Sequence, residues 1–220
     1  GAERRVMIVL LDADRKVVEE VDRVLEQSGA RAVYAGTTAT LTRNVPNKPS
    51  PEALVRLAES GRWAVASSGP EDNAPRPVKD GNITGNPLTH RLLIQGEPEE
   101  KSSFSSRIDN VLASCAASLS ENAPRLLVYP GGDFGQLSLD TDPETVAALR
   151  AAVERHFDYG LYFEDPGFIT PRRDNARLPA RIVPPDWDAP RLMDHVLRGN
   201  PITRAQLDLA KLLYWNRQHE

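Results

Sequence analysis

Residues 7–16 read MIVLLDADRK, an apolar run that ends in Asp12 and Asp14. Two carboxylates at the tip of a buried strand suit proton transfer, metal binding or recognition of hydroxyl groups. Other side chains with chemical reach are scattered. WAVASS ends in Ser67 and Ser68, and Glu71, Asp72 and Asn73 follow closely. His90, His156, His195 and His219 form no His-x-x-x-His pair, and Cys115 is the one cysteine. A single cysteine forbids an intrachain disulfide and selects no compartment.

The elements that must position these groups follow from periodicity. Residues 6–11 read as a short buried strand, and the helix after it carries Val17, Val18, Val21, Val24 and Leu25 on one stripe, stopped by Gly29. Residues 30–34 form a second strand. Ser50-Pro51-Glu52 supplies an N-cap, a first-position proline and an early acid for a helix ending at Gly61. Residues 63–67 are the third strand, with Trp63 as a core residue. Residues 69–87, rich in Pro, Gly, Asn and Asp, read as one long surface loop.

A short strand at 91–95 and a helix at 105–119 come next, the helix facing Ile108, Val111, Leu112, Cys115 and Leu119 inward. Residues 125–129 form a strand closed by Pro130-Gly131-Gly132, and Asp142 caps a helix with Val146, Leu149, Val153 and Phe157 on its stripe. Residues 159–163 and 181–183 complete the strands. Asp188 caps one further helix, and Thr203 with Gln206 caps the last.

Strands alternating with helices predict an α/β fold, a mainly parallel sheet that is either doubly wound or barrel-like. In both, chemistry gathers at the C-terminal ends of the strands. Four segments meet there: Asp12-Ala13-Asp14, Ser67-Ser68-Gly69, Tyr129-Pro130-Gly131-Gly132 and Pro184-Pro185-Asp186-Trp187.

Composition narrows the classes. The chain has 220 residues, 40% hydrophobic and 26% charged, enough for one domain with a sizeable core. A net charge of -4 argues against a nucleic-acid surface. No apolar stretch approaches the ~18–20 residues of a membrane span. Gly1-Ala2 reads as an expression scar.

In their order, the four segments resemble the polysaccharide deacetylase family, the NodB-homology carbohydrate esterases (family 4-like) that act on N-acetylated sugars. LVYPGGDFGQ at 127–136 is similar to the family's tyrosine-proline-x-glycine turn. LAESGRWAVASSG at 57–69 is similar to the helix and strand leading to its first metal histidine, and VLLDAD to the strand ending in paired aspartates. Residues 154–184 resemble the distal part of the domain, so the likeness spans about 6–190.

This resemblance implies a distorted deacetylase-type (β/α) barrel over residues 1–200, a bacterial exopolysaccharide or a protein of its machinery as partner, and a periplasmic or extracytoplasmic setting. It also implies a divalent metal held by one aspartate and two histidines, with a neighbouring aspartate as base. Mapped by residue, Asp12 takes the base position, and Ala13 stands where the metal-ligating aspartate belongs. Ser68 takes the place of the first histidine, and the second falls among Glu71, Asp72 and Asn73.

The family's late histidine has no match. The expectation is a degenerate member without a metal cofactor, its groove lined by Asp12, Ser68, Tyr129, Asp133, Phe134, Asp186 and Trp187. The alternative is an active divalent-metal de-N-acetylase with Asp14 and Asp72 as replacement ligands. Asp14 also has a plainer reading as the cap of the following helix.

Other families that begin with a strand and Asp-x-Asp do not account for the Tyr129–Gly132 turn. Haloacid-dehalogenase-type phosphatases want threonine or valine where Lys16 stands. Sugar-nucleotide transferases place the motif deeper in the chain, and receiver domains need an acid where Ser67 and Ser68 stand. Residues 204–220, RAQLDLAKLLYWNRQHE, resemble a tetratricopeptide helix. Residues 201–220 therefore open a following repeat domain, making this a piece of a larger protein, or pack back on the first domain.

Overall fold

The computed structural model describes residues 7–78, 83–121, 123–135, 142–164 and 178–181. Strand β1 (Ile8–Leu11) leads into helix α1 (Arg15–Ser28), which returns the chain to β2 (Ala32–Gly36). Helix α2 (Thr38–Thr42) starts at Thr37, whose hydroxyl accepts from the Thr40 N–H. Helix α3 (Pro51–Glu59) starts at Ser50, whose hydroxyl accepts from the Ala53 N–H. Strand β3 (Trp63–Ser67) follows. An excursion of two small hairpins comes next, β4 (Arg76–Val78) with β5 (Ile83–Gly85), then β6 (Leu93–Ile94) with β7 (Glu97–Pro98).

Helix α4 (Lys101–Ala117) resumes the alternation, followed by β8 (Leu126–Val128) and a short 3-10 turn at Pro130–Gly132. Helix α5 (Pro143–His156) begins at Asp142, whose carboxylate accepts from the Glu144 N–H. Strands β9 (Tyr159–Glu164) and β10 (Leu178–Arg181) complete the described elements.

The main sheet runs β1-β2-β3-β8-β9-β10, every pairing parallel. Its order follows the chain without reversing in the middle, as a doubly wound sheet would. This is a distorted, open (β/α) barrel, which decides between the two architectures that the alternation allows.

Alternation along each strand builds two apolar layers. Val33, Ala35, Ala66, Leu126, Val128 and Leu161 gather on one face. Ala32, Tyr34, Trp63, Leu127 and Tyr162 pack on the other with helix residues Leu25, Leu54, Ile108, Leu112, Leu149 and Val153. Trp63 and Cys115 are core residues, as expected. Asp22 of α1 also holds β3 in place: Arg62 Nε and Nη2 each donate to its carboxylate at 3.1 Å, and Trp63 Nε1 donates at 2.8 Å. The Arg62 hydrogen bonds keep the Asp22 carboxyl below its ordinary pKa.

Several expected elements shift. The buried stripe of α1 is narrower, because Val17 and Val24 are 45% and 61% exposed. Segment 69–87 is not one loop, since β4 and β5 pair within it. Segment 91–95 adds no strand to the main sheet; Leu93 and Ile94 pair only with β7. The last described strand, β10, shares Arg181 with the expected 181–183, of which 182 and 183 lie outside the described residues.

A buried ion pair fixes the hairpin excursion. Arg107 Nε donates to Glu99 Oε1 at 2.9 Å and Nη2 to Oε2 at 2.7 Å. The same guanidinium reaches the Pro87 and His90 carbonyls at 2.7 and 3.2 Å, gathering three parts of the excursion onto α4. Burial alone would push the Glu99 carboxyl up, but the Arg107 bonds outweigh it and hold the pKa down.

Arg107→Ala strands a buried carboxylate. It is expected to cost about 2–3 kcal/mol in urea unfolding at pH 7, less than a fully enclosed pair because Arg107 keeps some solvent. A depressed carboxylate pKa stabilises the fold above the unfolded value of about 4.3. That stability is lost as pH falls through the lower folded pKa, so the gap between variant and wild type should close in acid.

Candidate functional site

All six main strands point the same way, so β1, β2 and β3 end on one side of the sheet. Asp12 leaves β1 with φ 44, a left-handed conformation that aspartate tolerates better than most residues. Its N–H donates to the Ala35 carbonyl at 2.7 Å, while the Ser68 N–H donates to the Gly36 carbonyl at 2.7 Å. Asp12 and Ser68 thus flank the end of β2, about two strand spacings, ~10 Å, apart.

A lysine from the α2–α3 connection enters beside them. Lys48 Nζ donates to the Asp12 carbonyl, and lies 3.2 Å from Asp12 Oδ2 and 3.1 Å from Asp14 Oδ1. Asn47, itself left-handed at φ 64, accepts the Arg15 N–H on its carbonyl at 2.7 Å, docking the loop on the first turn of α1. Burial works against the ammonium, but the Asp14 and Asp12 contacts outweigh it and raise the Lys48 pKa. Asp14 holds the N-cap position without a side-chain cap bond, so its carboxylate serves Lys48 and not the helix. That corrects the capping expectation.

Among the described residues, four buried side-chain polar atoms lack a hydrogen-bond partner: Asp12 Oδ1, Tyr34 OH, Ser68 Oγ and Asn73 Oδ1. Tyr34 belongs to β2, and its hydroxyl is pushed up to about 12 by burial, with the Asp12 charge adding to it. Asp12 and Ser68 are positions that the family resemblance singles out, and Asn73 is one of three candidates, with Glu71 and Asp72, for its second histidine.

The remaining candidates separate from this group. Asp72 is exposed and paired with Arg76, and Glu71 is exposed and paired with Arg43. Asp72 therefore joins no cluster with Asp14, and among the described residues no three His, Cys, Asp or Glu side chains gather as a metal group. Asp133 is 9% exposed, accepting from the Gly135 N–H at 2.7 Å and the Thr89 hydroxyl at 3.5 Å.

Tyr129 and Phe134 are core residues, 1% and 8% exposed, and Phe134 meets Tyr162 edge-on at 4.9 Å. A sugar-stacking platform needs an open ring face, and neither ring offers one in this arrangement. His156 Nε2 lies 2.8 Å from Asp109 Oδ1, joining α5 to α4. His90 Nδ1 contacts the Thr89 hydroxyl at 2.8 Å. Asp186, Trp187, His195, His219 and the 201–220 helix lie outside the described residues.

Lys48 and Tyr34 were not singled out by the sequence. Lys48 sits in the Pro- and Asn-rich stretch NVPNKPSP, with no charge run to flag it, and Tyr34 reads as an ordinary strand aromatic.

Solved structures share this architecture. A de-N-acetylase from Aggregatibacter actinomycetemcomitans matches with a TM-score of 0.66 at 11% identity, over 86% of this chain and 74% of that one. The BpsB deacetylase domain from Bordetella bronchiseptica matches at 0.60 and 18% identity, over 80% and 70%. IcaB from Ammonifex degensii matches at 0.51 and 16% identity, over 86% and 72%. The chain has the polysaccharide deacetylase fold. No protein-family model and no curated protein matches the sequence.

The metal that this fold implies does not fit the residues present. The methyl of Ala13 cannot ligate, Ser68 offers only a neutral oxygen where imidazole is needed, and the Glu71 and Asp72 carboxylates are exposed and paired with Arg43 and Arg76. Lys48 adds a positive charge against Asp12.

Tyr34→Phe tests whether the unpaired hydroxyl is a real burden. Deleting a buried, unbonded O–H removes a desolvation cost of about 1–3 kcal/mol. The variant should therefore match or exceed wild-type stability in thermal and urea unfolding; a clear loss would mean the hydroxyl has a partner.

Proposed function

We propose that this chain is a non-catalytic polysaccharide-deacetylase-like domain that binds or guides a bacterial exopolysaccharide outside the cytoplasm. The observation that carries this reading is the pair of unpartnered polar atoms, Asp12 Oδ1 and Ser68 Oγ, at the strand ends of a deacetylase fold. Each such atom costs about 1–3 kcal/mol unless something bonds to it. Hydroxyl and acetamido groups of a sugar polymer are suitable partners, because they both donate and accept.

The names of the structural neighbours support an N-acetylated polymer as the ligand class. Amide hydrolysis asks for more than binding. It needs a water activated next to a base and an electrophile that polarises the acetyl carbonyl. Asp12 retains the base position, but its carboxylate faces an ammonium, which competes with water for the lone pairs of Oδ2. In this reading the cleft holds the polymer and leaves its acetyl groups in place.

Isothermal titration with acetylated and deacetylated β-linked glucosamine oligomers tests the proposal, alongside an acetate-release assay. Binding heat is expected with at least one series, together with no acetate release. Asp12→Ala should weaken binding about tenfold, the worth of roughly one hydrogen bond. No heat with any oligomer removes the binding role. Acetate release that disappears in Asp12→Asn would make the protein an enzyme instead.

A further inference from the structure

We infer that Lys48 is a built-in cation that takes over the electrostatic role of a metal, so that this cleft excludes divalent ions. Three oxygens converge on one point in space, the Lys48 nitrogen: the Asp12 carbonyl, Asp12 Oδ2 at 3.2 Å and Asp14 Oδ1 at 3.1 Å. An ammonium has three N–H donors and no acceptor, so three oxygens use its full capacity. A hard divalent ion chooses the same kind of partner, carboxylate and carbonyl oxygens, at about 2.4 Å for calcium. The oxygens already face a common centre, and the lysine fills it.

The lysine is held there by its surroundings. Its side chain is only 20% exposed, and the preceding Asn47 is fixed by the Arg15 N–H to the start of α1. Moving the ammonium out would leave two neighbouring aspartates without their shared cation and loosen that junction together. A divalent ion approaching Asp12 therefore meets a positive charge that cannot swing aside cheaply. One ammonium against two carboxylates already leaves one negative charge in excess, and a third carboxylate at Ala13 would widen it.

This inference deepens the non-catalytic reading, yet it is measured without sugar or activity. The experiment titrates manganese, zinc and calcium into the full chain, its Lys48→Met and Lys48→Ala variants, and the double variant Lys48→Met with Asp14→Asn. Lys48→Met keeps most of the aliphatic stem and guards against a folding failure.

Wild type should show no one-to-one binding, whereas the single variants should bind at least one ion about tenfold or more tightly than wild type. The double variant should lose that gain. One-to-one micromolar binding by wild type would overturn the proposal, as would a folded single variant that gains no affinity. Metal exclusion without sugar binding would instead remove the exopolysaccharide role and leave the lysine's role standing.

Discussion

The contact of one ammonium with two aspartates governs the carboxylate end of this sheet. Asp12 stands at the end of an edge strand with one side-chain oxygen buried and unbonded, and Asp14 follows two residues later. Two negative charges so close on the chain repel, and a half-buried one gains less from water than an exposed one. Lys48 answers both. Placing it sets the path of the α2–α3 connection, because Asn47 must turn left-handed and give its carbonyl to Arg15. The start of α1, the end of β1 and a loop from more than thirty residues away are thereby one unit.

The rest of the sheet end depends on similar close joints. The turn after β8 carried the family likeness, but its contacts in this molecule are packing contacts. A Cβ on Gly69, at φ 97, would come within 2.5 Å of the Pro130 ring. One on Gly132, at φ 69, would lie 2.2 Å from the Phe163 ring. Asn86 Nδ2 adds a bond of 3.2 Å to the Pro130 carbonyl. Tyr129 through Gly132 thus join β3, β8, β9 and the hairpin excursion, and none of these contacts needs a metal.

Legibility in the sequence followed the same division. Strand β3 could be read residue for residue, because Gly61 and Gly69 bracket a short β-prone run. Helices α3 and α5 announced themselves through Ser50 and Asp142, whose caps form as expected. The hairpins β4–β5 and β6–β7 could not be read, since strands of two or three residues carry no period. The burial of Tyr129 and Phe134 could not be read either, since it depends on distant partners such as Tyr162, which Phe134 meets edge-on. Lys48 left no trace, since its partners lie 36 and 34 residues away and a lone lysine in a Pro-rich loop has no signature.

This division shows how a fold can match at 11–18% identity while the residues at its strand ends answer to separate requirements. A parallel sheet requires small or apolar residues at its interior positions and glycine where loops cross close to its end. Those demands are set by steric contact, and they hold whether or not the cleft reacts. The residues that would make it react answer to a different requirement, a charge balance among a few oxygens and nitrogens at the strand ends. At this end one internal cation, Lys48, stands against two carboxylates, Asp12 and Asp14. Changing the cation changes what the site can hold while leaving the Gly69–Pro130 and Gly132–Phe163 joints untouched, so architecture and activity can vary independently at the same end of one sheet.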